Sequence, residues 1–131
     1  RVEIMDSQIR ESPVLMGESY PNECWTFCNS AALAAIRMSD VLDGTDHSSL
    51  FQSWIDSVKK CLVHRESGIL YSTYTVEGEV MEGPEGSSIW TVAHFLLLVD
   101  EEFALQQYHL AREQLGAITL GFGYAREWPD S

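Results

Sequence analysis

Cys24 and Cys28, in the stretch from Ser19 to Ala35, are the side chains whose type and spacing best suit chemistry. On a helix, a spacing of four puts both thiols on one face, one turn apart. Side chains stacked that way run parallel, which disfavours a disulfide with its specific geometry. Zinc would need two more ligands. Cys61 and His64 are the only nearby pair, too distant in sequence for a compact zinc module, so no metal is expected. Two readings remain. The thiols are small buried hydrophobes, which is common, or one is an active thiol beside a helix N-terminus, whose positive end favours the thiolate.

Other polar groups surround the pair. Asn29 and Ser30 follow Cys28 on an otherwise apolar helix, and Glu18 and Glu23 flank it. Buried, these carboxylates are acid or base candidates; solvated, they are ordinary loop or cap residues. Tyr20, Tyr71 and Tyr74 offer phenols, with plain packing as the simpler account. Glu77, Glu79, Glu82 and Glu85 lack the spacing and the Asp/Asn content of a calcium loop. His94 reads as a hydrogen-bonded core histidine. Gly121-Phe-Gly123 has neither the third glycine nor the βαβ setting of a dinucleotide fingerprint.

The elements that must position these residues follow from periodicity. A short helix is expected over Ser7 to Ser12. Pro21 leads into a helix that Asn22 or Glu23 caps, running from Cys24 to Leu42 with a stripe of Cys24, Cys28, Ala31, Ala35, Met38 and Leu42. Small residues at its start let a helix approach or leave room for a ligand. After Asp43-Gly44, a second helix from Ser48 to Leu62 carries Phe51, Trp54, Ile55, Val58 and Leu62 on one face. Ile69 to Val76 reads as a strand, turned back at Glu77-Gly78 into Glu79-Val80-Met81. Ser87 or Ser88 caps a third helix from Ile89 to Leu98, apolar nearly all round and so expected to be buried on all sides. Asp100 starts a fourth, and Gly116 to Tyr124 is a loop or short strand. The fold class is mainly all-α: two αα-hairpins joined by a β-hairpin, the repeating unit of an (α/α)6 toroid. Cys24's helix and Trp90's helix would then belong to its inner ring.

Composition narrows the function classes. With 131 residues and 45% hydrophobic content the chain supports one domain with a real core. Eight Lys and Arg against twenty Asp and Glu give a net charge of −12, which disfavours nucleic acid and anionic membranes as partners. The longest apolar run, Val92 to Val99, is too short to span a membrane and is broken by His94. Three cysteines do not make a disulfide scaffold, and the compartment stays open. The start at Arg1 and the loop-like end at Ser131 suggest a piece of a longer toroid, whose remainder would come from the same chain or another, a homo-oligomer included.

The run Tyr20-Pro-Asn-Glu-Cys-Trp-Thr-Phe-Cys-Asn-Ser30, then Asp40 to Asp46, Trp54-Ile-Asp56 and Arg65 to Tyr71, resembles the linalool dehydratase/isomerase family. The resemblance covers about Met16 to Leu115. It implies a six-hairpin α/α toroid and a cofactor-free enzyme that removes or adds water at an allylic terpene alcohol and isomerises it. Of the two pocket cysteines of the family, the second falls on Cys28 and the first on Ser19, while a pocket tyrosine falls near Ser87. The resemblance thus implies Cys28 and Ser19 as catalytic residues. Cys24, Trp25, Asn29, Tyr71, Tyr74, Ser87 and Trp90 would line a site for a small apolar substrate. A glycan-active toroid is the alternative and requires paired carboxylates, for which Glu18 and Glu23 are the candidates. A non-catalytic helical interaction module is the third reading.

Overall fold

A computed structural model describes residues 1–129. Helix α1 spans Val2–Glu11, starting earlier and running longer than the short helix expected over Ser7 to Ser12, and buries Ile9. The chain then forms strand β1 (Cys24–Trp25), α2 (Thr26–Asp43), α3 (Ser48–Cys61), β2 (Thr73–Tyr74), β3 (Val80–Glu82), α4 (Gly86–Leu96) and α5 (Glu101–Gln114). A hairpin of β4 (Gly116–Thr119) and β5 (Phe122–Ala125) follows. The architecture is mainly α, with α4 packed most closely against α2 and α5. Among the described residues no helix is long and apolar enough to cross a membrane.

The start of α2 differs from the sequence expectation, with a consequence for the two thiols. Cys24 and Trp25 are extended and pair antiparallel with Tyr74 and Thr73, so β1 becomes the third strand of the sheet β1-β2-β3. Thr26 completes the junction: its N–H donates to Ser72 O at 2.9 Å and its hydroxyl to Tyr71 O at 2.5 Å. The helix begins only after these bonds release the chain from the sheet. Cys24 and Cys28 therefore do not share a helical face. Neither Asn22 nor Glu23 caps α2; Trp25 occupies the N-cap position without a side-chain bond. Its other end is as expected, with Gly44 in the left-handed region donating to Asp40 O at 3.0 Å.

The α2–α3 turn is fastened by a buried pair. Asp40 accepts from the Thr45 hydroxyl at 2.7 Å and the His47 N–H at 2.9 Å, and lies 2.6 Å from His47 Nδ1. Helix α3 then buries Leu50, Phe51, Trp54, Ile55 and Val58, the spacing of one apolar face. At the centre of the core the Trp54 indole N–H and the Tyr74 hydroxyl both donate to Met16 Sδ, at 3.1 and 3.2 Å. A thioether is a weak acceptor, and sharing it satisfies two donors that have no access to water.

Helix α4 is not enclosed on all sides. Ile89, Val92, Ala93 and Leu96 face the core, while His94, Leu97 and Leu98 are exposed. His94 is thus a surface residue, not a core histidine. Neither Ser87 nor Ser88 caps α4; both lie inside it, after Glu85. Helix α5 is capped as its acidic start suggests, Asp100 Oδ1 accepting from the Phe103 N–H at 2.9 Å. The terminal apolar run is a hairpin turned at Leu120 and Gly121, both with positive φ, and Ile118, Leu120, Phe122 and Tyr124 project outward.

Candidate active site

Four of the residues singled out in sequence meet in one cleft. Ser19, Cys28 and Asn29 line a cavity of about 150 Å³ between α1, the loop at Gly17 and the first turn of α2. Glu18, Met5 and Ile9 complete much of its wall.

Cys28 is the third residue of α2 and its thiol is exposed. Ser19 is half-buried on the facing loop. Its Oγ accepts from the Trp25 N–H at 3.2 Å, which leaves the hydroxyl proton available to a ligand. The loop is closed by its own backbone, with the Ser19 and Tyr20 N–H groups both donating to Glu23 O. Glu18 Oε1 accepts from the Asn22 N–H at 2.7 Å, supporting the left-handed backbone at Asn22.

Asn29 is almost fully buried, and its amide is fully engaged. Oδ1 accepts from the Gly17 N–H at 2.7 Å, and Nδ2 donates to Gly17 O at 3.0 Å and Trp25 O at 2.9 Å. It forms part of the cleft wall while its polar atoms serve the protein.

The remaining sequence candidates lie elsewhere in the chain. Cys24 is buried in the core, where burial, aided by the charge of Glu18, pushes its thiol up to about 11. At neutral pH it is a protonated hydrophobe. Tyr74, its partner across the sheet, is enclosed as well; burial raises its phenol far more than the Thr26 hydrogen bond lowers it. The Trp25 indole donates to Glu23 Oε1 at 2.5 Å. Tyr71 packs edge-on against His64 and Trp90 against Tyr108. Ser87 is exposed and donates to Glu127 Oε1 at 2.8 Å. None of these lines the Cys28 cleft. Among the described residues Glu18 is the only carboxylate in the cleft lining, Glu23 turning to Trp25, so these residues do not form the carboxylate pair of a glycosidase there.

The small-residue stripe of α2 borders a different space. Ala31, Ala35 and Met38 line an apolar groove of about 500 Å³ with Phe95, Leu97 and Leu98. Sequence reasoning missed Gly17 and the α1 wall of the cleft. The signal was available: an Asn early in an apolar helix needs backbone partners from outside that helix.

The sequence of this chain matches a family model described as linalool dehydratase/isomerase over residues 3–121. The chain belongs to the linalool dehydratase/isomerase family. The match begins in α1 and runs to the tip of the terminal hairpin, so it includes both sides of the cleft rather than the Cys28 helix alone.

Proposed function

We propose that the protein is a cofactor-independent hydro-lyase and isomerase of terpenoid-like, apolar allylic alcohols, and that this chain forms part of an α/α ring. The observation that carries this reading is the Cys28 thiol facing Ser19 across a cleft, in a chain of this family.

Dehydration of such an alcohol needs one proton delivered and one removed. The hydroxyl oxygen takes a proton, the C–O bond breaks and water leaves with the electron pair. The resulting allylic cation loses a proton from the adjacent carbon, so the balance is alcohol to alkene plus water. Ser19, its oxygen held by the Trp25 N–H, presents its proton to the substrate hydroxyl. The Cys28 thiol on the facing helix delivers the proton to that oxygen as the C–O bond breaks, and the thiolate then takes the proton from the adjacent carbon, which restores the thiol. Met5, Ile9 and Ala32 supply apolar wall.

At about 150 Å³ the cleft is smaller than the roughly 300–1,000 Å³ of ligand pockets. The remaining walls therefore come from further hairpins of the ring, for which the exposed apolar side of α4 and the groove beside Ala31 are the contact surfaces. The test is incubation of the full-length protein with linalool and a chelator, with gas chromatography of the hydrocarbon fraction. Formation of the dehydrated hydrocarbon supports the reading. Its absence with linalool and with a panel of allylic alcohols removes it.

A further inference from the structure

We propose that Asn29 is the positioning residue of this cleft: by bonding both backbone groups of Gly17, its side-chain amide holds Ser19 opposite Cys28. This rests on the reading of Cys28 and Ser19 as the reacting pair.

The geometry is that of a β-bridge made by a side chain. A backbone partner would offer Gly17 one acceptor and one donor; Asn29 offers the same through Oδ1 and Nδ2, at 2.7 and 3.0 Å. Nδ2 uses its second proton on Trp25 O at 2.9 Å, and the Trp25 N–H in turn donates to Ser19 Oγ. Asn29 thus grips the loop two residues before Ser19 and also the residue that orients the Ser19 hydroxyl. Being next to Cys28 on the first turn of α2, it ties both sides of the cleft to one rigid element.

No other short side chain meets these demands. Asp has the acceptor but no donor, Ser and Thr have one hydroxyl, and Leu leaves the Gly17 and Trp25 groups unpaired. Gly17 itself adds no constraint of space, since a Cβ there would meet Asn29 Oδ1 at an ordinary 3.5 Å. The loop is held by the amide, not by a steric fit.

Asn29→Asp separates positioning from bulk stability. Its carboxylate would face two carbonyl oxygens, Gly17 O and Trp25 O, in a buried setting that favours the neutral acid. Protonated, it regains one donor. Among the described residues Glu18 is the other titratable group on the cleft wall besides Cys28, and its side chain accepts from the Asn22 N–H rather than bonding Asn29. The clamp in this variant is therefore restored by acid.

The experiment uses full-length wild type, Asn29→Ala and Asn29→Asp, each at a temperature where circular dichroism shows it folded. Two quantities are read: kcat with linalool, and the iodoacetamide labelling rate of Cys28 relative to Cys61, which is exposed at the end of α3. Release of the loop raises the Cys28/Cys61 ratio at least threefold in Asn29→Ala and lowers kcat about 10- to 100-fold, the scale of a misplaced catalytic group. In Asn29→Asp both effects are present at pH 8 and shrink toward wild type at pH 5.5. If Asn29→Ala does not fold, Asn29→Asp at the two pH values decides alone. An unchanged labelling ratio and kcat in a folded variant, or effects independent of pH in Asn29→Asp, overturn the proposal. If wild type does not turn over linalool, the labelling ratio still tests the clamp, so failure of the activity and failure of the clamp are distinguishable.

Discussion

Replacing Met16 by Leu tests the core that anchors the cleft loop. Met16 is 1% exposed, and its sulfur is the acceptor for both Trp54 Nε1–H and Tyr74 O–H. Leu fills nearly the same volume, so packing alone costs less than about 1.5 kcal/mol. The hydroxyl of Tyr74 can turn to Thr26 Oγ1, 3.1 Å away, and keeps a partner. The indole of Trp54, a donor only, has no such option and is left unpaired in a fully buried site, at about 1–3 kcal/mol. Met16→Leu should therefore cost about 1–4 kcal/mol. Met16→Ala adds a cavity and should cost about 3–8 kcal/mol. Urea unfolding followed by tryptophan fluorescence measures both, with equal slopes required for the comparison. A Met16→Leu variant within 0.5 kcal/mol of wild type would refute the sulfur as the acceptor that Trp54 depends on.

Three further outcomes follow from the same structure. The hydrogen bond to Asp40 raises the His47 pKa against burial. Burial alone would raise Asp40, but the bonds from His47 and Thr45 overcome it and hold that carboxyl at about 2. His47 thus contributes stability below about pH 6.5 that is lost as pH rises through its raised value, and Asp40 contributes above about pH 3.8 what is lost as pH falls toward 2. The gap in urea midpoint between wild type and Asp40→Asn should be widest between these limits; a gap constant from pH 3 to 9 contradicts the pair. Alkylation followed by mass spectrometry should find Cys28 and Cys61 modified in the native protein and Cys24 only after unfolding, given its burial and raised thiol. Gly83→Ala should destabilise by at least about 1–3 kcal/mol, since φ is +102° and a Cβ would lie 2.4 Å from the Ser72 nitrogen; thermal melting at wild-type temperature would count against this.

The helices were legible because their apolar spacing is strong. Phe51, Trp54, Ile55 and Val58 mark α3, and Gly44 marks the end of α2 where its left-handed backbone is needed. The first two residues expected in α2 were not. Cys24 and Trp25 suit a helix by pattern, but pairing with Thr73 and Tyr74 is a long-range interaction that no local window contains. That register decides the fate of the two thiols, one in the core and one on the cleft. The full burial expected of α4 follows correctly from its composition, yet His94, Leu97 and Leu98 lie open in this chain. Cys28 and Ser19, which the family resemblance implied as two positions of one pocket, and Asn29 beside them do line one cleft. The clamp on Gly17 was only half legible: Asn29 in an apolar helix called for outside partners, but nothing in the sequence marks Gly17's backbone groups as those partners.

In the proposed reaction Cys28 exchanges the proton in the Ser19 cleft. The most direct measurement is kcat for linalool in full-length Cys28→Ala against wild type, with circular dichroism confirming the fold. Loss of the general acid–base group predicts a decrease of about 10²–10⁴-fold, while the exposed position of Cys28 leaves stability near wild type. Turnover equal to wild type in the folded variant would contradict this role for Cys28.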